Sequence, residues 1–218
     1  GEDAEAIYEH IKDLDLGNVW YDGETKTLKG SNPFIAARID TLLREKGIRV
    51  ANLYDLSRPE VMQMSAGKHY LDTPAFVARS HKDSDFPENQ PLLEQIISIV
   101  EDKQGKVNFP FLVRGFDSQE RYRIIPRDDF GVVEDERLDG KYDGERFNEV
   151  DKKGLPIFVK SGKRIWQAKE KGLSGLFSYG GLDRNSNNGN LSNSNDNGRV
   201  VLISGEASGQ NFEAQLKK

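Results

Sequence analysis

The side chains that most often carry chemistry are few in this chain and poorly placed for it. His10, His69 and His81 are the only histidines, and none belongs to an HExxH pair. The chain also lacks the GxSxG turn that presents a nucleophilic serine and the GxxxxGK[ST] loop that cradles phosphate. With no cysteine, disulfides, thiolate zinc sites and cysteine nucleophiles are excluded, while the compartment stays open. The acidic stretch DDFGVVEDERLDGKYDGER, residues 128–146, offers carboxylates to a calcium ion. Its spacing fails the alternating ligands, central glycine and closing glutamate of an EF-hand loop. Asp139-Gly140 and Asp143-Gly144 read as turns, and the remaining carboxylates as solvated. No catalytic residue, metal or cofactor is expected from these features. The alternatives are an enzyme whose cleft lies between a helical first half and a strand-rich second half and uses His69, Asp72 or His81, and a plain structural domain with an Asn-rich loop.

A different chemistry is concentrated in Tyr179 to Gly198, YGGLDRNSNNGNLSNSNDNG, between the apolar segments GLFS and RVVLIS. Asparagine amides both donate and accept hydrogen bonds, so a run of them is suited to contact rather than to catalysis. A flexible linker would explain the low complexity, but RVVLIS follows at once with the composition of a buried strand, so the run connects elements of one core. A long surface loop would use Asn188-Gly189 and Asn197-Gly198 for positive-φ turns, which explains two of the asparagines. The Asn190-Leu191-Ser192 glycosylation triplet arises by chance in any segment rich in Asn and Ser. Leu182 and Leu191 recur inside the run, with Ser186 and Ser194 after them, as fixed anchors would. Between Ser178 and Gly198 there is no Lys, Glu, Gln, Met or Trp, although Lys and Glu abound elsewhere. The residues present are those reached from an Asn codon by changing its adenines.

The elements that must hold this run are read from periodicity. Ile7, Ile11 and Leu14 mark one face of a short first helix, and VWYDGETKTLKG reads as a hairpin turning at Asp22-Gly23. SNPFIAARIDTLLREKG carries a cap residue, an early Pro33 and a terminating Gly47. Leu92, Leu93, Ile96, Ile97 and Val100 repeat the helical spacing. HYLDTPAFVARS predicts one or two strands. Beyond Gly105 the segments VNFPFLVRGF, RYRIIP, LPIFVK, KRIWQAK, GLFSYG and RVVLIS are all strand-like. Early helices and late strands predict an α+β fold. The 218 residues, 36% hydrophobic and 31% charged, suffice for one sizeable core or two small ones. A net charge of -5 argues against a general nucleic-acid partner, and no apolar run approaches the roughly 20 residues of a membrane-spanning helix.

In GLFSYGGLDRNSNNGNLSNSNDNGRVVLIS, residues 175–204, the sequence resembles the variable proteins of diversity-generating retroelements. In that family reverse transcription misreads template adenines and scatters substitutions near the C-terminus of a C-type lectin fold. The resemblance implies a C-type lectin-like ligand-binding domain over residues 31–206. Residues 1–30 then form an N-terminal helix and hairpin extension, and residues 207–218 a C-terminal helix. It further implies that Leu176, Leu182, Leu191 and Val200 to Ile203 are scaffold. The ligand-contacting face is implied to hold Tyr179, Gly181, Asp183, Arg184, Asn185, Asn187, Asn188, Asn190, Ser192, Asn193, Asn195, Asp196 and Asn197, with Phe177 and Ser178 beside them. The partner would be a protein or surface ligand that changes over time, met on a virion or a cell surface. No EPN, QPD or WND triplet is present, so carbohydrate binding is not part of what the resemblance implies.

Overall fold

The computed structural model describes residues 2–64, 69–179 and 183–204. In chain order it comprises helix α1 (Glu2–Ile11), strands β1 (Trp20–Asp22) and β2 (Thr27–Lys29), helix α2 (Pro33–Leu43), β3 (Ile48–Val50) and helix α3 (Pro59–Met64). Then come β4 (Tyr70–Ala78), helix α4 (Gln90–Gln104), β5 (Phe111–Asp117), β6 (Ile125–Glu134), β7 (Arg146–Val150) and β8 (Pro156–Phe158). The last elements are β9 (Arg164–Ala168), β10 (Leu173–Tyr179), β11 (Asp183–Ser186), β12 (Gly198–Arg199) and β13 (Leu202–Ser204). The architecture is α+β.

Local signals account for the helices. The Asn32 side chain accepts the Ile35 N–H at 2.9 Å, Pro33 needs no hydrogen-bond partner for its nitrogen, and Gly47 closes the following turn at φ 68°. Gly105 ends α4 in the same left-handed conformation. The hairpin β1–β2 turns through residues 23–26, with Asp22 Oδ1 accepting the N–H groups of Glu24 and Thr25.

The large sheet runs β6-β5-β4-β10-β11-β9-β7-β8, with β12 joined to β4. Most pairs are antiparallel; β11 with β9 and β12 with β4 are parallel. Because successive strand residues face opposite ways, β4 sends Phe76 and Ala78 to one core and Leu71, Ala75 and Val77 to another. The first core holds α1, α2 and α4 through Ile7, Ile11, Phe34, Ile35, Leu93 and Ile96. The second gathers Leu112, Phe147, Trp166 and Leu176. Residues 1–30 thus contribute Ile7, Ile11 and Leu16 to the same core as α2 and β4. Among the described residues no helix is long and apolar enough to cross a membrane. The C-terminal helix expected over 207–218 lies outside the described residues.

Three expectations are corrected here. RVVLIS is not a buried strand: it splits into β12 and β13, which pairs with β3, and Leu202 is 41% exposed. Its apolar residues divide between the two cores, Val200 against the first and Val201 and Ile203 against the second, which an edge crossing requires. RYRIIP is strand only from Ile125, and β6 continues through the start of the acidic stretch. The carboxylates there are not simply solvated: Arg127 bridges Asp40 and Asp129, and Arg137 bridges Asp135 and Asp151. The turn reading holds at Asp139, whose side chain accepts the Lys141 N–H. It also holds at Gly144, with φ 81°.

Leu191 sits inside the asparagine run and is 2% exposed in the first core. Leu191→Ala is expected to lower unfolding stability by about 2–5 kcal/mol, against about 0.5 kcal/mol or less for the exposed neighbour Asn193→Ala, measured by urea denaturation.

Candidate functional site

The site is built on the alternation of β10 and β11. Phe177 pairs with Asp72 on one side and Asn185 on the other, and Tyr179 pairs with Tyr70 and Asp183. These side chains share the face that carries α2, whereas Leu176, Ser178, Arg184 and Ser186 turn to the opposite one. Gln167 of β9 stands next to Asn185 in register and its Oε1 accepts from the Asn185 amide.

The opposite face explains why two nominated contact residues are corrected. Arg184 is wholly buried; it donates to Ser178 Oγ at 2.6 Å, to the Leu56 carbonyl at 3.0 Å and to Ser57 Oγ at 2.9 Å. Ser178, 1% exposed, is its partner rather than a ligand contact. Burial pushes the Arg184 guanidinium down to about 9, with the neighbouring charge of Arg164 adding to the shift. Arg79 repeats the device one register along, donating to Ser174 Oγ, Ser186 Oγ and the Leu138 carbonyl. A polar fastening thus lies under the strands that present the site.

Over the α2 face the segment 187–197 is held at several points. Asp83 accepts from Lys169 Nζ at 2.8 Å, from the Leu173 N–H at 3.0 Å and from the Asn89 amide, which also donates to the Gly189 carbonyl at 2.8 Å. Burial alone would raise the Asp83 carboxyl, but Lys169 and these donors together hold it below its ordinary value. Asn32 donates to the Ser192 carbonyl at 3.4 Å, Ser194 Oγ donates to the Asn18 carbonyl, and the Tyr70 hydroxyl accepts the Asn195 N–H. The asparagines also fold one another. Oδ1 atoms of Asn185, Asn188 and Asn195 accept the N–H two residues on, at 3.0, 2.9 and 2.9 Å.

Gly189 and Gly198 do not serve positive φ, as the Asn-Gly pairs had suggested. A Cβ on Gly189 would lie 2.4 Å from the Phe86 ring, and one on Gly198 would lie 2.6 Å from the Tyr70 hydroxyl. Both glycines permit the segment to lie close on the domain.

The result is an open cleft of about 420 Å³. Of the nominated residues it brings together Phe177, Tyr179, Asn185, Asn188, Asn190, Asn193 and Asn195. Asp183 sits half-buried at the edge and accepts the Ile165 N–H. Asn187 is exposed and Ser192 half-exposed, both off the cleft lining; Asp196 and Asn197 face outward, Asp196 into a second groove beside Trp20, Tyr21 and Lys29. Gly181 and the anchor Leu182 lie outside the described residues. Pro33, Tyr70, Asp72 and Gln167 also line the cleft. Tyr70, Asp72 and Gln167 were missed as contact residues because sheet pairing, not local composition, brings them there, and Pro33 because it comes from the start of α2. The residues of the enzymatic alternative are not assembled. Asp72 is in the cleft, His69 contacts the Asn197 carbonyl outside it, and His81 packs edge-on against Phe109 beside a different groove.

Asp72 is the one ionisable carboxyl in the lining. It is 5% exposed, its Oδ2 has no hydrogen-bond partner, and burial pushes it up to about 7, the nearby Ser31 hydroxyl offsetting part of that effect. No family model, curated protein or solved structure matches the chain.

The unfolded carboxyl titrates near 3.8 and the folded one near 7. The unfolded chain therefore loses its proton first. The cost of ionising buried Asp72 is absent below pH 3.8, grows up to pH 7 and is complete above it. Asp72→Asn is expected to raise Tm clearly at pH 8 and hardly at all at pH 4, by calorimetry; equal shifts at both would contradict this assignment.

Proposed function

We propose that this protein is a non-enzymatic ligand-binding protein whose C-terminal surface is diversified by a retroelement, on a C-type lectin-like domain, to meet changing protein or surface partners. The observation that carries the reading is that seven residues nominated from the asparagine run line one cleft, while Leu176 and Leu191, nominated as anchors, are buried. Side chains on a sheet face and a pinned loop can change without disturbing the core beneath them. Short polar side chains with Tyr179 and Phe177 among them match the mixture of adaptable hydrogen bonding and aromatic area used by antibody contact loops. Tyr179, 56% exposed, is the largest anchor available to a partner.

Sequencing the DNA around the gene tests the proposal. The expected finding is a reverse-transcriptase gene and a near-copy of the codons for residues 175–204 that differs only at adenines. Its differences are expected at positions 177, 179, 185, 188, 190, 193 and 195 and not at the buried 178, 184 and 191. The absence of any near-copy would overturn diversification.

A further inference from the structure

The cleft has a chemical bias that the diversification reading leaves open, and the inference rests on that reading only in taking the cleft as the ligand site. Asp72 lines it, more than nine-tenths buried; among the described residues its Oδ2 makes no hydrogen bond, and its polar neighbour, the Ser31 hydroxyl, is likewise without a hydrogen-bond partner. Asp72 faces the cleft with Phe177 opposite it in register, and no lysine, arginine or histidine is in the lining. We propose that the cleft takes a primary ammonium on a short apolar stem, such as an exposed lysine side chain of a protein partner, with the Asp72 carboxylate as its counter-ion.

Three features converge on this chemistry. First, buried carboxylates are ordinarily matched by a cation or several donors, and a ligand ammonium supplies both in one group. Second, the walls are aromatic. Tyr70 and Phe177 meet edge-on with ring centroids 6.0 Å apart, and Tyr179 lines the same cleft, so aromatic rings and a carboxylate border one volume. Third, Asn185 and Asn190 line the same cleft; their amide oxygens already accept the Asn187 N–H and the Ser192 hydroxyl, and each keeps a second lone pair for an ammonium proton. Arg199, which pairs with Leu71 where β12 meets β4, does not fill the role: its guanidinium donates to the Asp196 and Gly198 carbonyls at 2.6 and 2.7 Å. An anionic ligand would face Asp72 with no cation in the lining to offset it, and a purely apolar one would seal an unsatisfied carboxylate beneath it. Since Asp72 lies outside residues 175–204, this preference for charge would persist while the asparagines around it change. The variable residues would then select the context in which a lysine is presented.

The test uses the whole chain and two probes, Nα-acetyl-lysine methylamide and the same molecule acetylated on its side-chain nitrogen, titrated at pH 8 with amide chemical shifts followed by NMR. The charged probe is expected to shift the amides of residues 70–72 and 177–179 and to bind about tenfold or more tightly than the neutral one. Asp72→Asn, close in shape, is expected to erase that difference. Equal binding of the two probes in the natural chain, or discrimination that survives Asp72→Asn, would overturn the ammonium preference while leaving the cleft as a ligand site. Shifts from neither probe at those residues would overturn both. Because the comparison is made first on the unaltered chain, it does not depend on the variant folding.

Discussion

The constraint on which the rest depends is the two-residue alternation of β10 and β11 where they lie between β4 and β9. Facing one way, Phe177, Tyr179 and Asn185 reach the cleft; facing the other, Ser178, Arg184 and Ser186 enter a buried polar layer. A shift of one residue would exchange the two sets. It would place Phe177 among the hydrogen-bond acceptors that Arg184 now satisfies, and would leave Arg184 on the surface with the Leu56 carbonyl unpaired. Register and recognition are therefore fixed by one set of interactions.

Arg184 and Arg79 are unusual in using hydroxyl and carbonyl partners where a buried guanidinium more often meets a carboxylate. Desolvation weakens the charge of each, Arg79 to about 10, but their forked donors tie β4, β10 and β11 to the segments around Leu56 and Leu138. On the other side, Asp83 does the same for the loop through Lys169, Asn89 and the Leu173 N–H. With Leu191 in the core and Asx turns at Asn185, Asn188 and Asn195, the segment is held as a surface rather than left as a chain free to wander. A fixed surface loses less conformational entropy on meeting a partner, which suits a face whose individual contacts are short polar groups.

Helices α1, α2 and α4 were legible from their apolar spacing, with the Asn32 cap, Pro33 and terminating glycines in agreement, and so were β4, β5, β9 and β10; the six-residue α3 was not. Strand β11 was not, since Asp183–Ser186 has no apolar residue at all; its inward positions are filled by Arg184 and Ser186, which satisfy each other's layer through hydrogen bonds. RVVLIS misled for the converse reason, its apolar content reflecting an edge segment that touches two cores in turn. Half the cleft could be named from composition, because the missing Lys and Glu and the recurring leucines are local signals. Tyr70, Asp72 and Gln167 could not, because the pairing of β4, β9, β10 and β11 alone places them there. Asparagine content also had a second meaning invisible in the sequence: several amides build the loop they decorate.

The central claim is that one face of this segment is free to change and the other is not. A saturation scan of residues 176–197 read out by folding stability tests it directly. Tolerance is expected at 177, 179, 190 and 193, with losses of about 2 kcal/mol or more for most changes at 176, 184 and 191. A scan in which Arg184 tolerates substitution as freely as Asn193 would contradict the account.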